Sequence, residues 1–398
     1  MLTPLYLSPS FGFGDRLGLA TRGHIEALRF STFDLRPIFA QQSVRENART
    51  GRTPQQVMND AKRAVESAKW DKPWGADADH LKSVDDLPPF VEAGYTFFTV
   101  DPGEHVDNSA DADLLSVLQK KVMDADWEKL SALYLRGNSD QLWGRFDAEN
   151  LLRAQVKYGR AIQHATSMFN RLSQMKDDFD FEVSVDETDS PTTPLEHFFI
   201  ANELTRLGVK FTSLAPRFIG DFEKGVDYIG DLNALDVELA KHAAVTAHFG
   251  TYKLSLHSGS DKFSVYPLIA KHWGSRIHVK TAGTSYLEAL RVLAKRDPDL
   301  FLKIYSLGCE RYETDRRTYH VSAKLERLPA KIDLLLLLDD FHAREILHVT
   351  FGSALSKFGA EIKSALVKYE DAYCEGLKIH FGKHLELLDS FGHYSLHE

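Results

Sequence analysis

Short segments in which apolar and polar residues alternate, or in which four to eight apolar residues run together, recur along the chain. Stretches with an apolar residue every third or fourth position separate most of them. The first pattern predicts strands and the second predicts amphipathic helices. Predicted strands fall at Ser10–Gly14, Pro37–Gln42, Trp74–His80, Thr96–Asp101, Phe181–Glu187, Lys210–Ala215, Tyr252–Ser258 and Arg276–Thr281, with Leu17–Thr21 competing for the first place. Predicted helices include Pro54–Ala68, Leu195–Leu207, Ala234–His248 and Ser285–Ala294. Strand–helix alternation implies parallel βαβ units, and eight of them predict an α/β fold of the closed (β/α)8 TIM-barrel type. An open doubly wound sheet is the competitor.

Two regions exceed a minimal barrel. Residues 109–176 are helical in pattern and sit between the fourth and fifth strands, so they are read as an insertion. Residues 298–398 are read as a helical C-terminal extension packed on a barrel that ends near residue 297. The length of 398 residues suits one barrel of roughly 250 residues plus such additions. No Gly-, Ser- or Pro-rich linker and no low-complexity tract interrupts the chain.

In such barrels the chemistry sits at the C-terminal ends of the strands, and ionisable residues collect there. The third strand ends in Asp77, Asp79 and His80, and the fourth in Asp101, with Glu104 and His105 beyond it. The fifth ends in Asp186 and Glu187, the seventh in His257, and the eighth carries His278 and Lys280. Alternation turns Lys253, Ser255 and His257 to the face opposite Leu254 and Leu256, hence inward. By the same rule His278 and Lys280 face inward, as do Glu182, Ser184 and Asp186. Buried ionisable groups need a partner, a hydrogen bond or a metal. Convergent imidazoles and carboxylates suit a divalent ion with an open position for substrate, Zn, Mn, Ni, Co or Fe. The bland alternative is a set of buried ion pairs without chemistry.

Three further features adjust this picture. The run Gly12-Phe-Gly-Asp-Arg-Leu-Gly18 has GxGxxxG spacing and lacks the acidic residue of a dinucleotide site, so a tight turn is expected and no nucleotide. That turn would project Asp15 and Arg16 at the top of the first strand. With Arg217, Ser258, Lys262 and Lys280 these form a candidate site for an anionic substrate. Cys309 and Cys374 lie far apart, which excludes a disulfide framework, and neither has an evident histidine partner.

The net charge of −9 argues against a general nucleic-acid binder. The longest apolar run, Ile332–Leu338, is too short to span a bilayer, and the N-terminus lacks the pattern of a signal peptide. The sequence therefore reads as cytoplasmic, with no membrane partner; a homo-oligomer is compatible with it.

The segments FGFGDRLGLAT (11–21), SVDETDSPTTPLEHFFIANEL (184–204), YKLSLHSGSDKFSVYP (252–267) and HVKTAGTSYLEALR (278–291) resemble the tagaturonate epimerase family. They fall on the predicted first, fifth, seventh and eighth strands and their following loops. The resemblance implies a divalent-metal enzyme that interconverts D-tagaturonate and D-fructuronate in hexuronate catabolism. Some relatives also act on tagatose and fructose. Carried onto this chain, it implies functional positions at the ends of strands three, five, seven and eight.

The stereocentre at issue is β to the ketone, so its C–H bond is not acidified, and a retro-aldol step is the expected route. The expected roles are acid/base catalysis by Asp79 and Glu187 and metal ligation by His80, His257 and His278. Asp186 is the alternative to Glu187, and Asp101 or His105 the alternative ligand. Rival readings are a metal-dependent aldolase or aldose–ketose isomerase acting on a sugar acid, and, more remotely, a non-enzymatic sugar-acid binding protein.

Overall fold

The structure, a computed structural model, describes residues 1–122, 127–136, 141–330 and 333–389. Residues 123–126 and 137–140 of the expected insertion, residues 331–332 (including Ile332 of the apolar run) and residues 390–398 of the expected extension lie outside the described residues.

Eight parallel strands close into a barrel in sequence order. They are β1 (Ser10–Phe13), β2 (Arg36–Ser43), β3 (Gly75–Leu81), β4 (Phe97–Val100), β5 (Asp180–Ser184), β6 (Ser213–Ala215), β7 (Lys253–Leu256) and β8 (Ile277–Thr281). Closure is made by β1 on β8, with Ser10 beside His278 and Gly12 beside Lys280. That pairing rules out the open sheet. All eight predicted strands are present, while residues 17–20 form no strand and Thr21 opens the helix Thr21–Phe30.

The outward residues of the strands, such as Phe181, Val183, Leu254, Leu256, Ile277 and Val279, are buried in one core with the surrounding helices. Helix starts follow local capping chemistry. Thr53 and Gln56, then Thr193 and Glu196, form reciprocal capping boxes, each with proline at the first helical position. The turn after β1 is tight as expected. The Asp15 carboxylate accepts from the N–H groups of Leu17, Gly18 and Ala20 at 3.1, 2.8 and 2.8 Å. A Cβ on Gly14 would fall 2.6 Å from the backbone of Thr281 and Ala282, so this loop can cross β8 only with glycine there.

Between β4 and β5 stand the helices Leu115–Lys121, Trp127–Leu135 and Ala148–Met175. After β8 and the helix Thr284–Arg296 come Pro298–Asp315, Phe341–Val349, Phe351–Lys368 and Glu370–Leu388. The last of these lies along Thr21–Phe30 so closely that a Cβ on Gly23 would meet Leu377 Cβ at 2.6 Å. Its Leu377, Phe381 and Leu385 join the same core as Phe11 and Phe13. Among the described residues no helix is long and apolar enough to cross a membrane.

Candidate active site at the barrel mouth

The inward residues of β3, β5 and β8 form a charged layer inside the barrel. Its centre is Lys280, whose Nζ lies 2.7 Å from Asp77 Oδ2, 2.8 Å from Asp79 Oδ1 and 2.9 Å from Glu182 Oε1. Thr99 Oγ1 accepts a further bond from the same ammonium. One cation among three buried carboxylates leaves an excess of negative charge, and the carboxyls divide accordingly. Burial, opposed by Lys280, pushes Asp77 up to about 7. Burial also acts to raise Asp79 and Glu182, but His80 and Lys280 beside the first, and Lys280 and His257 beside the second, hold both well below the usual carboxylate range. Lys280 was expected to hold substrate; it is instead enclosed by these carboxylates and organises the layer beneath the site.

Above this layer His80, Asp186 and His257 converge, with one ligand-type atom from each lying within 4.8 Å of the others. His80 stands where β3 shifts register against β4, and its φ of +53° is left-handed. Strict alternation after Asp77 and Asp79 would turn it outward; the left-handed residue brings it to the mouth at a conformational cost of order 1–2 kcal/mol. Its Nδ1 donates to Asp79 Oδ1 at 2.8 Å, while its Nε2 is buried without a hydrogen-bond partner among the described residues, 3.5 Å from Asp186 Oδ1. His257 donates from Nε2 to Glu182 Oε1 at 2.7 Å and directs Nδ1 to Asp186 Oδ1 at 3.2 Å. Burial would lower both imidazoles; Asp79 and Asp186 around His80, and Asp186 and Glu182 around His257, raise them instead.

These residues fit a divalent cation. Two imidazole nitrogens and a carboxylate oxygen face one point, one nitrogen has no other partner, and each histidine is oriented by a carboxylate on its second nitrogen, as at metal centres. His278 is not part of this group. It sits lower, opposite Ser10, with Nδ1 2.9 Å from Ser10 Oγ and its ring 5.0 Å from that of Phe97, and burial holds it neutral. Nor are Asp101, which accepts from Gly103 N at 2.9 Å, and His105, which stacks on His164 at 4.1 Å.

A cleft opens beside the cluster. Asp186, Glu187, His257, Ser258, Arg217 and Lys224 are among its lining residues, and Thr318, Tyr319 and His320 of the extension form the far wall. The extension is pinned there by acids. Ser322 Oγ donates to Glu223 Oε2 at 2.8 Å and Ala323 N to Glu345 Oε2 at 2.8 Å, and burial together with Glu223 pushes Glu345 up to about 9.

Three expected substrate contacts are occupied elsewhere. Arg16 pairs with Glu46 at 2.9 Å and lies over the Phe351 ring. Asp15 caps its own turn. Lys262 is fully buried and donates to the carbonyls of Glu223, Val226 and Ser260 at 2.7, 2.5 and 3.1 Å. In their place the cleft holds Arg45, 3.1 Å from Glu187, and Lys224, which sequence reasoning missed. Arg45 follows the predicted second strand by three residues, so a wider search at strand ends would have found it; Lys224 lies in a long loop without pattern.

A second convergence of acid and imidazole, Asp261 with His380 and His384, ties the last helix to the loop after β7. Asp261 Oδ1 is 2.6 Å from His380 Nε2, Oδ2 is 3.0 Å from Arg344, and Asp261 N donates to His384 Nε2 at 3.1 Å. Burial lowers His380, but Asp261 more than offsets it and the imidazole is raised; burial keeps His384 neutral, down to about 3. A raised imidazole stabilises the fold fully below its unfolded value of about 6.5, and that stability is lost as pH rises through the folded value. Asp261, held below the usual carboxylate range against the effect of burial by Arg344 and His380, contributes above its unfolded value. The thermal midpoint of the intact chain should therefore exceed that of His380→Ala by a constant margin near pH 5, and the margin should shrink as the pH is raised through neutrality towards 9. A pH-independent margin would show that His380 acts through packing alone.

Comparison with known proteins agrees with this architecture. A sequence model of the tagaturonate epimerase family matches residues 4–388. The tagaturonate/fructuronate epimerase of Thermotoga maritima is 45% identical over 401 residues, covering 96% of this chain and 81% of that protein. Crystal structures of the fructuronate-tagaturonate epimerase from Cohnella laeviribosi superpose with a TM-score of 0.92 at 38% identity. The glycerol complex covers 98% of this chain and 83% of its own, and the native form 97% and 83%. By sequence over nearly its whole length, and by a closed barrel whose polar strand ends meet at one mouth, the chain belongs to the tagaturonate epimerase family of isomerases.

Proposed function

We propose that this chain interconverts D-tagaturonate and D-fructuronate with the help of one divalent ion held by His80, His257 and Asp186, and that it inverts the carbon β to the ketone by C–C cleavage and re-formation. The observation that carries the reading is the convergence of those three side chains, two of which, Asp186 and His257, line the cleft together with Glu187. Asp186 takes the ligand position for which His278 was the expectation. A divalent ion held there supplies Lewis-acid stabilisation of negative charge developing on the sugar oxygens.

The chain's own groups move the protons. A base takes the proton of the hydroxyl on the β carbon, and the bond from that carbon to its α neighbour breaks. The β carbon becomes an aldehyde, and the electron pair passes to the ketone fragment as an enediolate. The aldehyde turns its other face, the bond re-forms, and the new alkoxide takes a proton from an acid on the opposite side. Glu187 lines the cleft and is the first of these groups. Burial acts to raise it, but His80 and Arg45 hold it below the usual range, as a carboxylate ready to accept. Asp79 is the second: held as a carboxylate, it is the base of the reverse direction, and it returns a proton to the new alkoxide only after taking one up from solvent. Its Oδ1 is held by His80 and Lys280, and no hydrogen bond to its Oδ2 is made among the described residues.

The C–H hydrogen on the β carbon is never removed on this route. Substrate carrying deuterium there, turned over in ordinary water, should give product with the label intact by NMR. Loss of the label to solvent would replace C–C cleavage with deprotonation or transient oxidation.

A further inference from the structure

The cleft holds cations in an otherwise acidic protein, and they are not equivalent. Arg45 is paired with Glu187 at 3.1 Å. Arg217 donates its guanidinium to the Thr188 carbonyl, and its backbone N–H goes to Thr192 Oγ1 at 3.2 Å, which makes it a clamp for the loops after β5 and β6. Lys224 differs. It is half-buried in the cleft, its Nζ donates to Ser258 Oγ at 2.5 Å, and no carboxylate lies within ion-pair distance of it among the described residues. Its neighbour Glu223 is turned away to Ser322 at 2.8 Å. Ser258 directly follows His257 and has a left-handed φ of +52°, so a strained residue is kept where it joins this ammonium to the histidine of the cluster.

A half-buried ammonium that no carboxylate contacts as an ion pair among the described residues, beside a site for a sugar, is placed to bind an anion. We propose that Lys224 binds the carboxylate of the hexuronate, and that it retains the carboxylate-bearing fragment while the C–C bond is open. The proposal rests on the retro-aldol reading. Cleavage between the α and β carbons leaves the enediolate on the fragment with the ketone and the aldehyde on the fragment with the carboxylate. The aldehyde fragment must rotate, yet must not leave. A lysine suits both needs: its charge is compact and its stem flexible, so it holds a carboxylate without fixing a plane, whereas the planar fork of an arginine would oppose the rotation. Ser258 steadies the ammonium at the distance that the substrate requires from the cluster.

The test uses the intact metal-loaded protein, Lys224→Met, Lys224→Arg and Arg217→Met. Turnover of D-tagaturonate by the unaltered protein is checked first; its absence would end the epimerase reading itself and not this inference alone. Lys224→Met should lose roughly a hundredfold in kcat/KM for the uronate, the scale of one lost charged hydrogen bond, and should release free three-carbon aldehyde acid into solution, detected by carbonyl trapping. Lys224→Arg should recover substrate binding (KM) but not the full kcat. Two results overturn the proposal: Lys224→Met within threefold of the unaltered protein, or a hundredfold loss falling on Arg217→Met instead. If Lys224→Met does not fold by circular dichroism, Lys224→Gln, which keeps a polar contact to Ser258, takes its place with the same criteria.

Discussion

Replacing Lys280 with methionine should destabilise the protein by about 3–5 kcal/mol, the range found when one partner of a buried ion pair is removed. The side chain is 4% exposed and its ammonium serves three carboxylates at 2.7–2.9 Å. Methionine fills a similar volume, so packing changes little and the loss is electrostatic. Asp77, Asp79 and Glu182 would then share the layer without the cation, and the fold would survive only by taking up protons. The direction is already set by Asp77, which burial holds near 7 even with Lys280 present. Urea denaturation at pH 7.5 and at pH 5 should show the larger loss at the higher pH, and a second change, Asp77→Asn, should restore part of it. Stability within 1 kcal/mol of the unaltered protein at both pH values would mean that water, not Lys280, neutralises this layer.

Asp79→Asn and Glu187→Gln should each lower kcat by roughly 10²–10⁴, the usual worth of a positioned acid or base, while bound metal stays at the level of the unaltered protein. Both changes preserve shape. Asparagine at 79 still accepts from His80 Nδ1, so the ligand histidine keeps its orientation. Asp186→Asn and His257→Ala should instead lose the metal together with the activity. Metal content by mass spectrometry, read beside turnover, separates the two classes. Loss of metal from Glu187→Gln would move that residue from proton transfer to ligation, and full activity in Asp79→Asn would leave the opposite face of the aldehyde to another group.

The strands were legible because each carries its own record: Leu254 and Leu256 against Lys253 and Ser255 state which face is inside without reference to any other part of the chain. The same alternation correctly turned Asp186 and His257 inward. What could not be read is what an inward side chain meets. Lys280 looks like a free cation until β3 and β5 bring Asp77, Asp79 and Glu182 to it, from residues about a hundred or more positions away. Arg16 was assigned to the substrate because nothing local marks Glu46 or Phe351 as its neighbours. Lys262 stands five residues past His257, but left-handed turns at Ser258 and Asp261 send it under the loop, and non-glycine residues seldom announce such turns. His80 profited from the same kind of irregularity.

The pairing of the helix Glu370–Leu388 with Thr21–Phe30 has a consequence for how the protein is made. Synthesis runs from the N-terminus, and the helix Thr21–Phe30 emerges long before its partner Glu370–Leu388 exists. Until then Gly23 and the neighbouring apolar face have nothing to cover them, and the loop after β7 lacks the histidines that grip Asp261. A ribosome-bound intermediate thus carries every strand and every side chain of the mouth, yet leaves open a seam that only the helix Glu370–Leu388 can close. Such a nascent chain exposes apolar surface for the whole interval, the condition under which chaperones bind and aggregation begins. Premature termination anywhere before residue 370 should yield not a smaller enzyme but a substrate for proteolysis.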